Sequence, residues 1–342
     1  MTIHARISGL GKYNPKRVLT NADLERMVDT SDTWIQERTG VRERRIAADD
    51  ETASTMGICA ARQALEQAGL TPDDIQLIIV ATTSPDGMFP AVASLVQDGL
   101  GARHAAAFDI NAACVGFLTA VATASQFIAT GTYERVLVIG SDVLSRIVNY
   151  QDRGTCVLFG DGAGAVVLEA AERGGPMSFV LHSDGGNADK LFAHGPAARP
   201  LDADTAYIQM DGRHIFKFAV QAMEQATREA LASAGMTVDD IDLLVPHQAN
   251  LRIIQGTAKA LGMPPEKAFV TVHKYGNTSS ASIPVALSEA AHSGRLVEGM
   301  KVALCAFGGG LSWGSLLLEY SRSGVAPVAT TTPLVEAHAG GD

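Results

Sequence analysis

Apolar runs alternate with helically periodic stretches along most of this chain. Residues 75–82 form an almost continuous apolar run, which predicts a strand. Residues 52–69 ahead of it place apolar side chains at helical spacing and stop at Gly69, which predicts a helix. A second apolar run starts at Ala105; at Cys114 it gives way to a helical pattern rich in Ala, Leu and Phe that stops at Gly131. The alternation continues to Ser141, the pattern of an α/β layered sheet. Residues 3–8 read as a first strand, and Thr20 and Ser31 as caps of short helices. Residues 155–158 and 163–170 read as a hairpin turning at Gly160-Asp161-Gly162. Those glycines lack the Lys-Ser/Thr of a phosphate loop.

Beyond a Gly/Pro linker at 172–176 the pattern begins again. Residues 62–77 align without gaps on 228–243, and the same shift sets 135–138 on 301–304. One shift shared by two separated segments predicts two fused copies of an αβ unit, 1–172 and 177–324, related by a pseudo-twofold. Sites in such folds form at strand ends where the halves meet. Residues 325–342, rich in Ala, Thr and Pro, read as a disordered tail.

Composition narrows the class. With 46% hydrophobic and 19% charged residues the chain reads as a soluble globular protein, and no apolar run reaches bilayer length. The first residues carry charge and lack the apolar core of a signal peptide. A net charge of −10 argues against nucleic acid as the main partner; an acidic protein partner would need a local basic patch. Four cysteines lie far apart without metal-ligand spacing, so no metal is expected; Cys59, Cys156 and Cys305 read as inert core. A cytoplasmic, reducing location fits this usage. Within the cationic run Arg42, Arg44 and Arg45, the last two are expected on a solvated face.

The chemistry gathers at Cys114, where a strand hands over to a helix. Unpaired N–H groups and the positive end of the helix dipole favour thiolate there, which predicts a depressed thiol pKa. The repeat places His247, in Pro246-His247-Gln248-Ala249-Asn250, at the tip of the twin strand. Asn277 lies at the lip of a polar turn before another helix, and Gly308-Gly309-Gly310 ends a strand in a turn able to point N–H groups inward. Singly, each has a plain reading: Cys114 as core, His247 as structural, Asn277 as a helix cap. Together they offer an acyl acceptor, an oxyanion hole from the N–H groups of Cys114 and Gly309, and two side-chain donors. Two donors on one small site suit an enolate better than a hydrolytic triad, where an orienting group sits behind the histidine.

Four motifs, residues 109–117 (DINAACVGF), 246–250 (PHQAN), 275–282 (YGNTSSAS) and 307–310 (FGGG), resemble the β-ketoacyl-acyl-carrier-protein synthase III family. The resemblance covers about residues 3–320. It implies a thiolase-like α/β fold of two pseudo-twofold repeats with a layered α-β-α-β-α core. It implies decarboxylative condensation of an acyl-CoA primer with malonyl-acyl-carrier protein, starting fatty-acid synthesis, in a homodimer without metal or other cofactor. Cys114 would accept the acyl group, and His247 and Asn277 would serve decarboxylation. Trp34, Arg38, Arg153, Phe216 and Asn250 would line the coenzyme A and pantetheine path, and Phe89 would reach the acyl pocket of the neighbouring subunit. Arg252 and Lys259, seven apart on one helix, share a face; with Arg213 and Lys217 they are the expected docking patch for the acidic carrier protein. Asp86-Gly87-Met88 before Phe89 departs from the family pattern, as does the tail. A condensing or acyl-transfer enzyme of secondary metabolism is the nearest rival. A non-catalytic partner subunit would be expected to lack the cysteine.

Overall fold

A computed structural model describes residues 3–195 and 206–321; the expected tail at 325–342 lies outside the described residues. Five strands make the first sheet, in the order β1 (His4–Tyr13), β7 (Asp161–Ala171), β6 (Arg135–Val143), β4 (Leu77–Ala81) and β5 (Ala106–Ile110). The second sheet runs β8 (Gly175–Ser183), β13 (Ser312–Glu319), β12 (Lys301–Gly308) and β11 (Leu243–Pro246). Reading each sheet from β1 or β8, the first two pairings are antiparallel and the third is parallel. The parallel partner that β5 gives β4 is reduced in the second sheet to a single bridge, Leu244 to Ala268. Two small ribbons, β2 (Arg17–Thr20) with β3 (Glu43–Ile46) and β9 (Leu191–Phe192) with β10 (Gln209–Met210), lie outside the sheets.

The layers follow from the two-residue period of strands. In β4, Leu77, Ile79 and Ala81 face one core while Ile78 and Val80 face another; in β6, Val136 and Val138 part in the same way from Leu137 and Ile139. The shared central core is filled by α5 (Gly116–Ala129) and α10 (Ser282–His292), through Phe117, Leu118, Ile283 and Leu287. Helices α3 (Ala53–Ala68) and α4 (Val92–Leu100) cover the outer face of the first sheet, and α7 (Gly212–Ser233) and α8 (Leu251–Leu261) that of the second. The result is the expected α-β-α-β-α stack. The repeat extends to caps: Thr71 N–H donates to Asp74 and Thr237 N–H to Asp240, each at 2.8 Å, just before β4 and β11. Short helices α1 (Asn21–Glu25), α2 (Asp32–Thr39), α6 (Arg153–Cys156) and α9 (Val272–Tyr275) lie in the connections. Among the described residues no helix is long and apolar enough to cross a membrane.

Three local expectations need correction. The hairpin at 155–158 is the helical turn α6, because the Asp152 carboxylate caps it, accepting from Gly154 N–H at 2.8 Å and Thr155 Oγ1 at 2.6 Å. β7 pairs instead with β1 and β6. Arg44 is fully buried rather than solvated: in β3 it alternates inward with Ile46, and its guanidinium donates to Leu19 O, Asn21 Oδ1 and Val157 O. Burial brings that guanidinium down to about 10. Arg45 is half-buried and pairs with Glu43 at 3.1 Å. Cys156 and Cys305 are buried as expected, whereas Cys59 is only half-buried.

Candidate active site

Cys114 lies in a single 3-10 turn, Ala113–Val115, between β5 and α5. The shift that relates the halves carries Asn111 onto Asn277, Ala113 onto Ser279, Cys114 onto Ser280 and Gly116 onto Ser282. The structure repeats this in detail. Ala113 and Ser279 are the two non-glycine residues with positive φ among the described residues, at 46° and 48°. Asn111 Oδ1 accepts from Ala113 N–H at 3.3 Å, and Asn277 Oδ1 from Ser279 N–H at 2.8 Å. Side chains with positive φ are strained, so each turn is held by its surroundings. The backbone donor at Ser279 fixes the orientation of the Asn277 amide. Its oxygen is engaged, and its NH2 is the free end.

His247 follows β11, and its N–H donates to Cys305 O at 2.8 Å. The ring is 1% exposed and lies edge-to-face with Phe307, centroids 5.7 Å apart. Nδ1 is 2.6 Å from Ser282 Oγ, while Nε2 is buried without a hydrogen-bond partner. Burial pushes the imidazole down to about 3, so the ring is neutral at physiological pH. Gln248 anchors the loop: Nε2 donates to Pro246 O and Phe269 O, and Oε1 accepts from Thr271 and Val272 N–H.

A cavity of about 520 Å³ brings Cys114, His247, Asn277 and Gly309 together, with Asn250 and Phe216 also on its wall. A Cβ at Gly308 would lie 2.8 Å from Cys114 N and one at Gly309 2.9 Å from Leu191 O, so both positions need glycine for this close approach. Trp34, Arg38 and Arg153 form a group outside the cavity: the Arg153 guanidinium lies 4.9 Å from the Trp34 ring centre and that of Arg38 6.0 Å. Asn250 links this group to the cavity, donating from Nδ2 to Arg38 O at 3.0 Å. Phe89 is not brought to this cavity; it is 85% exposed beside Met88. Arg213, Lys217, Arg252 and Lys259 are all exposed, and Arg252 sits over the ring of Phe216, 5.1 Å from its centre.

Sequence reasoning missed Asp142, Ser280 and Ser282. Asp142 is fully buried and accepts from Thr83 N–H at 2.7 Å and Ser280 N–H at 3.0 Å, joining a loop of one half to a turn of the other. Its available signal was an acidic residue at the end of an apolar strand.

The thiol corrects the expectation of a depressed pKa. Cys114 keeps some exposure to the cavity, but burial pushes its thiol up to about 12. A hydrogen bond with Ser279 lowers it and the Asp142 charge raises it further. Desolvation of the thiolate outweighs the favourable helix end. Alkylation of Cys114 in the resting protein is therefore expected to rise about tenfold per pH unit between about pH 7 and pH 9, without levelling off. Rates from peptide mapping that reach a plateau near neutrality would restore the depressed value.

The 3-oxoacyl-[acyl-carrier-protein] synthase III family matches residues 108–185, and the C-terminal region of that family matches 231–320. The chain is 54% identical over 323 residues to the β-ketoacyl-[acyl-carrier-protein] synthase III of Symbiobacterium thermophilum, covering 92% of this chain and 98% of that protein. It is 52% identical to the protein of the same name from Methylococcus capsulatus, over 94% of this chain and all of that one. The 3-oxoacyl-[acyl-carrier-protein] synthase III structure from Aquifex aeolicus superposes with a TM-score of 0.88 at 48% identity, covering 92% of this chain and all of that one. With half of its residues shared across nearly its whole length, this chain belongs to the β-ketoacyl-[acyl-carrier-protein] synthase III family of thiolase-fold condensing enzymes.

Proposed function

We propose that this condensing acyltransferase joins an acyl-CoA primer, acetyl-CoA or a similar thioester, to malonyl-acyl-carrier protein through an acyl group carried on Cys114. The observation that carries the reading is the convergence of one thiol, the Asn277 amide and the unpartnered His247 Nε2 on a single cavity. The sulfur of Cys114 attacks the primer carbonyl, and the N–H groups of Cys114 and Gly309 hold the oxyanion. The C–S bond to coenzyme A breaks, and the thiol proton ends on the departing coenzyme A sulfur. Malonyl-acyl-carrier protein then loses carbon dioxide, and the bonding electrons move toward its thioester oxygen. His247 Nε2 and Asn277 Nδ2 donate to that oxygen. The resulting carbanion attacks the acyl-Cys114 carbonyl, giving 3-ketoacyl-acyl-carrier protein and a Cys114 thiolate that takes a proton from solvent.

Phe216 and Asn250 line the pantetheine path, while Trp34, Arg38 and Arg153 hold the nucleotide end of coenzyme A. Arg213, Lys217, Arg252 and Lys259 supply the positive surface that a chain of net charge −10 needs for an acidic carrier protein. Phe89 and Met88, 85% and 67% exposed, project from the half whose sheet ends in the edge strand β5. That placement supports a homodimer in which Phe89 enters the acyl pocket of the partner. The reaction runs in the cytoplasm on initiation of fatty-acid synthesis and needs no metal or other cofactor.

The test is intact-protein mass after incubation with a panel of acyl-CoAs, followed by malonyl-acyl-carrier protein. A Cys114 adduct that disappears on adding the second substrate, with a 3-ketoacyl product, is expected; no adduct with any acyl-CoA sinks the reading. In the same assay Arg252→Glu should leave adduct formation intact while raising the carrier-protein KM several-fold and weakening its salt dependence.

A further inference from the structure

The orientation of the His247 ring leaves one chemical question open: which nitrogen carries its proton. A neutral imidazole has one donor and one acceptor nitrogen, and only a proton on Nε2 gives the cavity a donor. The partner on the far side decides this. Ser282 is the first residue of α10 and is buried, 2% exposed. Its oxygen lies 2.6 Å from His247 Nδ1 and accepts weakly from Gln248 N–H at 3.4 Å. Among the described residues, Nδ1 is the one acceptor recorded for the single Ser282 hydroxyl hydrogen. The positive end of the α10 dipole also favours an acceptor, not another N–H, at this end of the ring.

We infer that Ser282 is a positioning residue that donates to Nδ1 of His247 and so fixes the proton on Nε2, aimed into the cavity. The free end of Asn277 is its NH2, so both side chains present donors to the cavity. A thioester oxygen gaining negative charge is the ligand such a pair takes. The twin of Ser282 is Gly116, which has no hydroxyl, and the twin of His247 is Ala81, which has no ring. Only one half of the repeat carries this pair.

The inference rests on the donor role of His247 in the proposed reaction, and the experiment separates the two. Nitrogen resonances of 15N-histidine-labelled protein identify the tautomer without substrate, His247 being assigned by its loss in His247→Gln. In the parent protein Nδ1 should resonate as an unprotonated nitrogen shifted upfield by an accepted hydrogen bond, and in Ser282→Ala it should move downfield. Decarboxylation of malonyl-acyl-carrier protein should fall about tenfold in Ser282→Ala, acylation by acyl-CoA should be unchanged, and Ser282→Thr should restore both signal and rate. A protonated Nδ1 in the parent protein, or an Nδ1 signal unmoved in Ser282→Ala, overturns the inference. Equal losses in acylation and decarboxylation also overturn it, since they mark a general packing defect. A moved Nδ1 signal with normal decarboxylation keeps the tautomer assignment and overturns the donor role of His247.

Discussion

Asn277→Ala is expected to form acyl-enzyme on Cys114 yet release carbon dioxide from malonyl-acyl-carrier protein about 10²–10³-fold more slowly, the cost of losing one preorganised donor. The separation follows from where the donors sit. In the proposed reaction acylation uses the thiol and the backbone N–H groups of Cys114 and Gly309, whereas charge built during decarboxylation would meet the free ends of Asn277 and His247, which line the same cavity. Alanine also removes the bond that Asn277 Oδ1 accepts from Ser279 N–H, in a turn where Ser279 has a φ of 48°. Asn277→Asp controls for that loss: it keeps the oxygen on Ser279 N–H and replaces only the NH2. It should decarboxylate at least as poorly as Asn277→Ala while still accepting an acyl group. Cys114→Ala should show the converse, no adduct and no condensation but residual decarboxylation. Labelled carbon dioxide release measured beside intact-protein mass distinguishes the three. If Asn277→Asp decarboxylated normally but resisted acylation, the division of labour would be reversed.

Most of the architecture was legible because the sheets obey simple periodicity. The run at 75–82 reads as a strand from its apolar continuity alone, and the internal repeat sets His247 at a strand tip. Extending the same shift to the turns would also have paired Asn111 with Asn277 and Cys114 with Ser280. Arg44 was misread because three nearby arginines look like a solvated run; the two-residue period of Glu43-Arg44-Arg45-Ile46 already pointed Arg44 inward with Ile46. The thiol pKa was not legible. A helix end is visible in sequence, but desolvation of Cys114 depends on how tightly the two halves close around it. Asp142 and Ser282 were hidden for a related reason: their partners, Ser280 and His247, are distant in sequence and meet them only in the folded seam.

Asp142→Asn is expected to destabilise that seam by about 2–3 kcal/mol and lower Tm by about 3–4 °C. The carboxylate is fully buried, and each oxygen serves one half of the molecule. Oδ1 accepts from Thr82 Oγ1 at 3.1 Å, Thr83 N–H at 2.7 Å, Thr83 Oγ1 at 3.0 Å and Ser84 Oγ at 2.9 Å. Oδ2 accepts from Ser280 N–H at 3.0 Å and Ser280 Oγ at 2.5 Å. Hydroxyls can turn to accept from a new NH2, but backbone N–H groups cannot. In either orientation the asparagine amide therefore faces a backbone donor, the part-buried Thr83 N–H or the buried Ser280 N–H, that loses its acceptor. The Ser280 turn also carries Ser279, which bonds the Cys114 thiol, and follows Asn277, so condensation should fall with stability. Alkylation should move the other way. Removing the Asp142 charge removes one cause of the raised Cys114 pKa, and the thiol should react faster at fixed pH in the variant that remains folded. Thermal unfolding, condensation rate and alkylation rate of one preparation test all three directions. Unchanged melting together with a parent-like condensation rate would show that the two halves hold their register without this carboxylate.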